Sequence, residues 1–168
     1  MNLYLFRNSL FVLLVVFASV LGCKGEVGAD TDAPDFSLSD LSGNIISLDQ
    51  FRGKVVVIDF WATWCPPCRM TIPELVRLQK EHDNLIVIGV SLDNPNSMTD
   101  KRLAEFKRRF GINYRIVRGD IHIVADYFGT ERVALPTIFI LDKAHKIRTK
   151  IVGFNPSALK KAISMVLS

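Results

Sequence analysis

Between Lys54 and Trp61 the chain reads Lys-Val-Val-Val-Ile-Asp-Phe-Trp, an apolar run broken only by Asp59. A strand with one wet face alternates apolar and polar positions, whereas one without alternation is covered on both faces. That demands a sheet with other layers packed on each side of it. The run passes through Ala62-Thr63-Trp64 into Cys65-Pro66-Pro67-Cys68-Arg69, where the prolines suit the first turn of a helix. Any fold for this chain therefore sets a Cys-x-x-Cys pair where a buried strand gives way to a helix.

The remaining pattern fills in such a sheet. Phe36 and Leu38, then Ile45, Ile46 and Leu48, flank a Ser42-Gly43-Asn44 turn and predict a hairpin. Pro66 to His82 reads as a helix with Ile72, Leu75, Val76 and Gln79 on one face, and Leu85 to Ser91 as a second buried strand. Leu103, Phe106 and Phe110 recur at helical spacing, Tyr114 to Val117 suits a short strand, and Ile121 to Phe128 a helix. Thr137 to Leu141 and Ile147 to Val152 make a second hairpin across Asp142-Lys143-Ala144-His145. The last helix has Asn155 as its cap, Pro156 as its first residue, and Leu159, Ala162, Ile163, Val166 and Leu167 on one stripe. Strand, helix, strand and helix followed by a hairpin and a helix make an α/β sandwich, one domain over residues 33–168.

Upstream, Leu10 to Leu21 is an apolar run preceded by Arg7. At about a dozen residues it falls short of the ~20 that cross a bilayer, but it fits the apolar region of a signal peptide. Residues 1–22 are thus expected to be an export signal. Val20-Leu21-Gly22-Cys23 resembles a bacterial lipobox, which implies cleavage before Cys23 and acylation of its sulfur; an uncleaved anchor and plain secretion are the alternatives. Residues 23–32, small and polar after the cysteine, read as a lipidated N-terminus and tether.

Composition removes several classes. A hydrophobic share of 49% with 23% charged residues speaks against disorder, and three cysteines are too few for a disulfide-stapled miniprotein. A net charge of +4 without a long basic run offers no nucleic-acid surface. Lys101, Arg102, Lys107, Arg108 and Arg109 interleave with Leu103 and Phe106 as the solvated side of an amphipathic helix. His82, His122 and His145 have no spacing that suggests a metal site and read as surface residues, so neither a metal nor a cofactor is expected. Asp93, heading Asp93-Asn94-Pro95-Asn96, reads as turn chemistry.

The chemistry concentrates at the cysteine pair. A sulfur at a helix start faces unpaired backbone N–H groups and the positive end of the helix dipole, which favour a thiolate. Cys65 is the expected nucleophile, and Cys68, one turn into the helix, the shielded resolving thiol. Pro66 and Pro67 lack N–H groups, so the Cys68 amide and the charge of Arg69 are the stabilisers left, and the effect on Cys65 is expected to be modest. Asp59 stands in the strand among β-branched neighbours; losing solvation would raise its pKa and let it take the Cys68 proton.

Phe60-Trp61-Ala62-Thr63-Trp64-Cys65-Pro66-Pro67-Cys68, Pro73 inside the following helix, Leu135-Pro136-Thr137 and Gly153 together resemble the thioredoxin superfamily, specifically its membrane-tethered TlpA/ResA type. Ala33-Pro34-Asp35-Phe36 with Leu41-Ser42-Gly43 is similar to the extra N-terminal hairpin of that group. The resemblance implies a thioredoxin fold, a central mixed sheet flanked by helices, and a thiol:disulfide oxidoreductase working through a Cys65–Cys68 redox disulfide. It implies a cis Pro136, with Trp64, Leu135, Pro136 and Thr137 against an extended protein substrate. It also implies protein thiol or disulfide partners, apocytochrome c among them, a membrane thiol-transfer electron donor, and an extracytoplasmic place at the membrane. The type commonly carries a Glu three residues after the second cysteine; here Thr71 occupies that position, which hands the acid–base role to Asp59. Two other classes remain in view. A copper chaperone of the Sco type would want three residues between the cysteines and a downstream His, and a peroxiredoxin would want Pro-x-x-x-Thr-x-x-Cys.

Overall fold

The structure is a computed structural model and describes residues 31–168. The expected export signal, the Cys23 acylation site and the tether up to residue 30 lie outside the described residues. A six-stranded mixed sheet is ordered β1-β8-β7-β4-β5-β6, from β1 (Thr31–Asp32), β4 (Val55–Trp61), β5 (Leu85–Ser91), β6 (Arg115–Arg118), β7 (Thr137–Leu141) and β8 (Lys146–Val152). Strands β4, β5 and β6 run parallel, and β7 and β8 return antiparallel on the other side of β4. A separate hairpin joins β2 (Ser37–Ser39) to β3 (Ile45–Ser47). Its turn is held by the Asp40 carboxylate, which accepts the amides of Ser42 and Asn44 at 2.8 and 2.9 Å.

Among the described residues four α-helices complete the fold: α1 (Pro66–Glu81), α2 (Asp100–Arg109), α3 (Ile121–Phe128) and α4 (Pro156–Leu167). Strand alternation sorts the core into two layers. Val55, Val57 and Trp61 of β4 meet Ile72, Leu75 and Leu78 of α1, Leu103 of α2, and Leu159 and Ile163 of α4. Val56, Ile58 and Phe60 point the other way, onto α3 and the hairpin. There Phe60, Tyr127, Phe128 and Phe139 pack as tilted and edge-to-face rings 5.0–5.8 Å apart. Both β4 and β5 are buried along their whole length, as the absence of alternation requires.

Three readings change. Thr31 and Asp32 belong to no tether: they pair with Ile147 and Lys146 as β1, through backbone alone, with both side chains exposed. His145 is not on the surface but buried, at φ 64, with its Nε2 3.0 Å from the Phe51 carbonyl. Asp142 shapes that turn by accepting the amides of Ala144 and Lys146 at 2.9 Å each, and the turn folds the imidazole under the 3-10 helix Leu48–Phe51. Asp93 is likewise buried, and its carboxylate bonds to Thr63 of the active segment and to Ser91 at the end of β5. Among the described residues no helix is long and apolar enough to cross a membrane.

Candidate active site

The segment 62–65 leaves the end of β4 and delivers Cys65 as the N-cap of α1. Because Pro66 and Pro67 carry no N–H, the first helical amide able to reach the cap is that of Cys68, which donates to Cys65 Sγ at 3.2 Å. Cys65 N–H in turn donates to the Ala62 carbonyl at 3.2 Å, closing a tight turn. Cys65 and Cys68 are joined as a disulfide. The sulfurs are unequally placed: Cys65 retains 4% of its surface and Cys68 none. An incoming thiol therefore reaches Cys65 first. Trp64, 67% exposed, stands beside it, and Met70 is exposed on the next turn, whereas Trp61 is fully buried against Phe106.

Asp59, in β4 six residues before Cys65, has no exposed surface. Its neighbours two residues away, Val57 and Trp61, belong to the cluster that holds Cys65, Cys68 and α1, so alternation turns the carboxyl toward the same layer. Neither carboxyl oxygen has a hydrogen-bond partner among the described residues. Burial alone pushes its pKa up to about 8. Thr71 supplies no acid on the helix side: it is buried and donates its hydroxyl to the Pro67 carbonyl at 3.1 Å. The next acid of α1, Glu74, is paired with Arg77 at 3.0 Å.

Two residues that the sequence reading did not single out share this compartment. Gly89 is the β5 residue in register with Asp59. A Cβ on Gly89 would lie 2.9 Å from Trp61 Nε1 and 3.2 Å from Tyr114 Cε2, so both rings converge on the space a side chain would take. Tyr114 is buried with its hydroxyl unpartnered among the described residues, and its pKa is raised by desolvation first and then by the charge of Asp59. The sequence signal for this compartment is slight: one glycine inside a strand of mainly β-branched residues, a mark of close approach.

At the far side of β4, the Leu135–Pro136 peptide is cis. Thr137 is fully buried and donates its hydroxyl to the Ala134 carbonyl at 2.7 Å, while Gly153, at φ 80, donates its amide to the Pro136 carbonyl at 2.8 Å. Leu135 takes part in neither bond, and its side chain packs against the cluster containing both cysteines. His82 caps the end of α1 and His122 is exposed on α3; among the described residues no three His, Cys, Asp or Glu side chains gather as a metal cluster.

Residues 29–150 match the model of the AhpC/TSA family. Thioredoxin-like protein YneN of Bacillus subtilis (strain 168) is 38% identical over 133 residues, 77% of this chain and 76% of the relative. Thiol-disulfide oxidoreductase ResA of Geobacillus thermodenitrificans is 33% identical over 140 residues, 82% of this chain and 77% of the relative. Among solved structures, a thiol:disulfide interchange protein of the thioredoxin family from Chlorobium tepidum superposes with a TM-score of 0.73 at 25% identity, over 84% of this chain and 99% of that one. Relatives, sheet order and the disulfide at the head of α1 converge: the chain belongs to the AhpC/TSA, thioredoxin-like family and is a thiol–disulfide oxidoreductase.

Proposed function

We propose that this oxidoreductase works outside the cytoplasm, held at a membrane by an acylated Cys23, and reduces protein disulfides, the cysteines of apocytochrome c among them. A membrane thiol-transfer protein would return its electrons. The supporting observation is the inequality of the two sulfurs, with a buried acid unpartnered among the described residues on the β4 face that packs in their layer. Cys65 thiolate attacks the substrate disulfide, one substrate sulfur leaves as thiolate, and a mixed disulfide joins Cys65 to the other. Cys68 then gives its proton to the Asp59 carboxylate and attacks Cys65 Sγ. The Cys65–Cys68 bond forms, the second substrate sulfur leaves, and two electrons have passed to the substrate. An acid with a pKa of about 8 exchanges protons readily near neutral pH. Trp64 gives substrate an exposed apolar ring, and the Leu135 backbone, set by cis-Pro136 and braced by Thr137, offers an edge to an extended segment.

The test is the Cys68→Ser protein in its native envelope. Without the resolving thiol, substrates remain bonded to Cys65 and can be identified by mass spectrometry. Trapped cytochrome c precursors are the expected result. A spread of secreted disulfide proteins, with no cytochrome precursor, would refute the reductive assignment. In the same cells Cys23→Ser should move the protein from the membrane to the soluble extracytoplasmic fraction.

A further inference from the structure

Residues 62–65 carry the reactive sulfur yet belong to no strand or helix, so something outside them must hold them. Asp93, just past β5, does so. One of its carboxyl oxygens accepts the Thr63 hydroxyl at 2.6 Å, and the other accepts the Thr63 amide at 3.0 Å and the Ser91 hydroxyl at 3.0 Å. The Asp93 amide reaches back to Ser91 Oγ at 3.3 Å, and Leu92 N–H binds the Trp61 carbonyl at 2.8 Å. Thr63, Ser91 and Asp93 are all buried, and the described residues show no salt bridge to Asp93. A buried carboxylate is costly to bury unless it is fully bonded, and here its partners are the active segment and the end of β5.

We infer that Asp93 is a positioning residue of the exchange reaction: by clamping Thr63 it fixes Cys65, two residues on, against the Cys68 amide and sulfur. The inference rests on exchange at Cys65 but goes beyond it. In the resolving step, Cys68 forms its bond to Cys65 Sγ while the substrate sulfur departs with the bonding pair, and the rate depends on how often the two sulfurs are in line. A loosened segment lowers the effective concentration of one thiol about the other in the dithiol form. That weakens the disulfide relative to the dithiol and raises the reduction potential. A brace of the fold alone would stabilise both redox forms equally and leave the potential where it was.

The experiment equilibrates purified wild type, Asp93→Asn, Thr63→Val and Thr63→Ser with glutathione buffers and reads potential and resolution rate. Asn cannot accept from all three donors, since its amide group replaces one oxygen with another donor. The expected result for Asp93→Asn is a disulfide about tenfold less favoured, a rise of about 30 mV, with mixed disulfide accumulating during turnover. Thr63→Val, which keeps the amide but loses the hydroxyl, should shift the same way by less, and Thr63→Ser should restore the wild-type value. The double variant Asp93→Asn/Thr63→Val should move no further than Asp93→Asn alone. Should Asp93→Asn not fold, the Val and Ser pair at Thr63 decides the matter. Wild-type potential and resolution rate in the Thr63→Val and folded Asp93→Asn proteins, whatever their melting temperatures, would overturn the clamp while leaving exchange at Cys65 intact. A wild-type protein unable to exchange with glutathione would overturn the reading of Cys65 itself.

Discussion

Replacing Asp59 with Asn should stabilise the disulfide form of this protein at neutral pH, and the size of the gain follows from burial. In the unfolded chain an Asp ionises around 3.8, whereas in the fold desolvation raises the midpoint to about 8, so that near neutral pH Asp59 is mostly protonated with a minority as carboxylate. Between those values the native state binds the extra proton, so stability falls as pH rises, by about 1.4 kcal/mol per pH unit. At pH 7 the wild type has therefore lost about 4 kcal/mol that an Asn of nearly the same shape would keep, and at pH 4 almost nothing. Four other shifted groups titrate outside the range of the assay: Asp40 and Asp142 are held below the ordinary carboxylate value of 3.8, and Tyr114 and Tyr127 are pushed above 10. The assay is urea unfolding of both proteins, kept oxidised, at intervals from pH 4.5 to 8, with the difference in free energy plotted against pH. That difference should open steadily in favour of Asp59→Asn and level off near pH 8. Parallel curves, or an Asn variant less stable at pH 7, would refute the burial of Asp59 without a hydrogen-bond partner. The same variant should be the poorer reductant at neutral pH, because the Cys68 proton then has no carboxylate to go to.

Gly89→Ala should destabilise the fold by about 1–3 kcal/mol, since its Cβ would press on Trp61 Nε1 at 2.9 Å and on the Tyr114 ring at 3.2 Å; a urea midpoint unchanged from wild type would show that the rings have room to withdraw. Trp64→Ala should leave unfolding within about 0.5 kcal/mol, because the ring is 67% exposed, while slowing reduction of a protein disulfide more than that of glutathione disulfide; equal slowing of both would remove Trp64 from substrate contact.

How well the sequence announces an element depends on whether its side chains or only its backbone make the contact. Runs such as Val55 to Ile58 and Leu85 to Ile88 are read correctly because burial on both faces leaves no polar position to confuse the pattern. The α4 start is equally plain: Asn155 Oδ1 accepts the Ala158 amide at 3.0 Å with Pro156 following the cap. β1 escapes because Thr31 and Asp32 contribute backbone pairing and bury nothing. His145 escapes for the opposite reason. Its turn is polar in composition, and only the positive φ at that residue sends the ring inward to the Phe51 carbonyl.

Within the site, the pair Cys65 and Cys68 is legible because the two sulfurs meet across three residues, and local spacing is all that sequence shows directly. The two buried acids are a different matter. The β-branched neighbours of Asp59 mark it for desolvation, whereas Asp93 heads Asp93-Asn94-Pro95-Asn96 and reads as turn chemistry, and nothing in its flanking residues shows that it is buried and holds backbone. The distinction is made by donors that lie far away in the chain. Three donor groups converge on Asp93, from Thr63 and Ser91, and pin it. None reaches Asp59 among the described residues, so its proton is held by desolvation alone and can leave when the charge around the sulfurs changes. One residue type thus meets two environments, within β4 and just past β5, divided by hydrogen bonds that only the folded register of β4 and β5 brings into being.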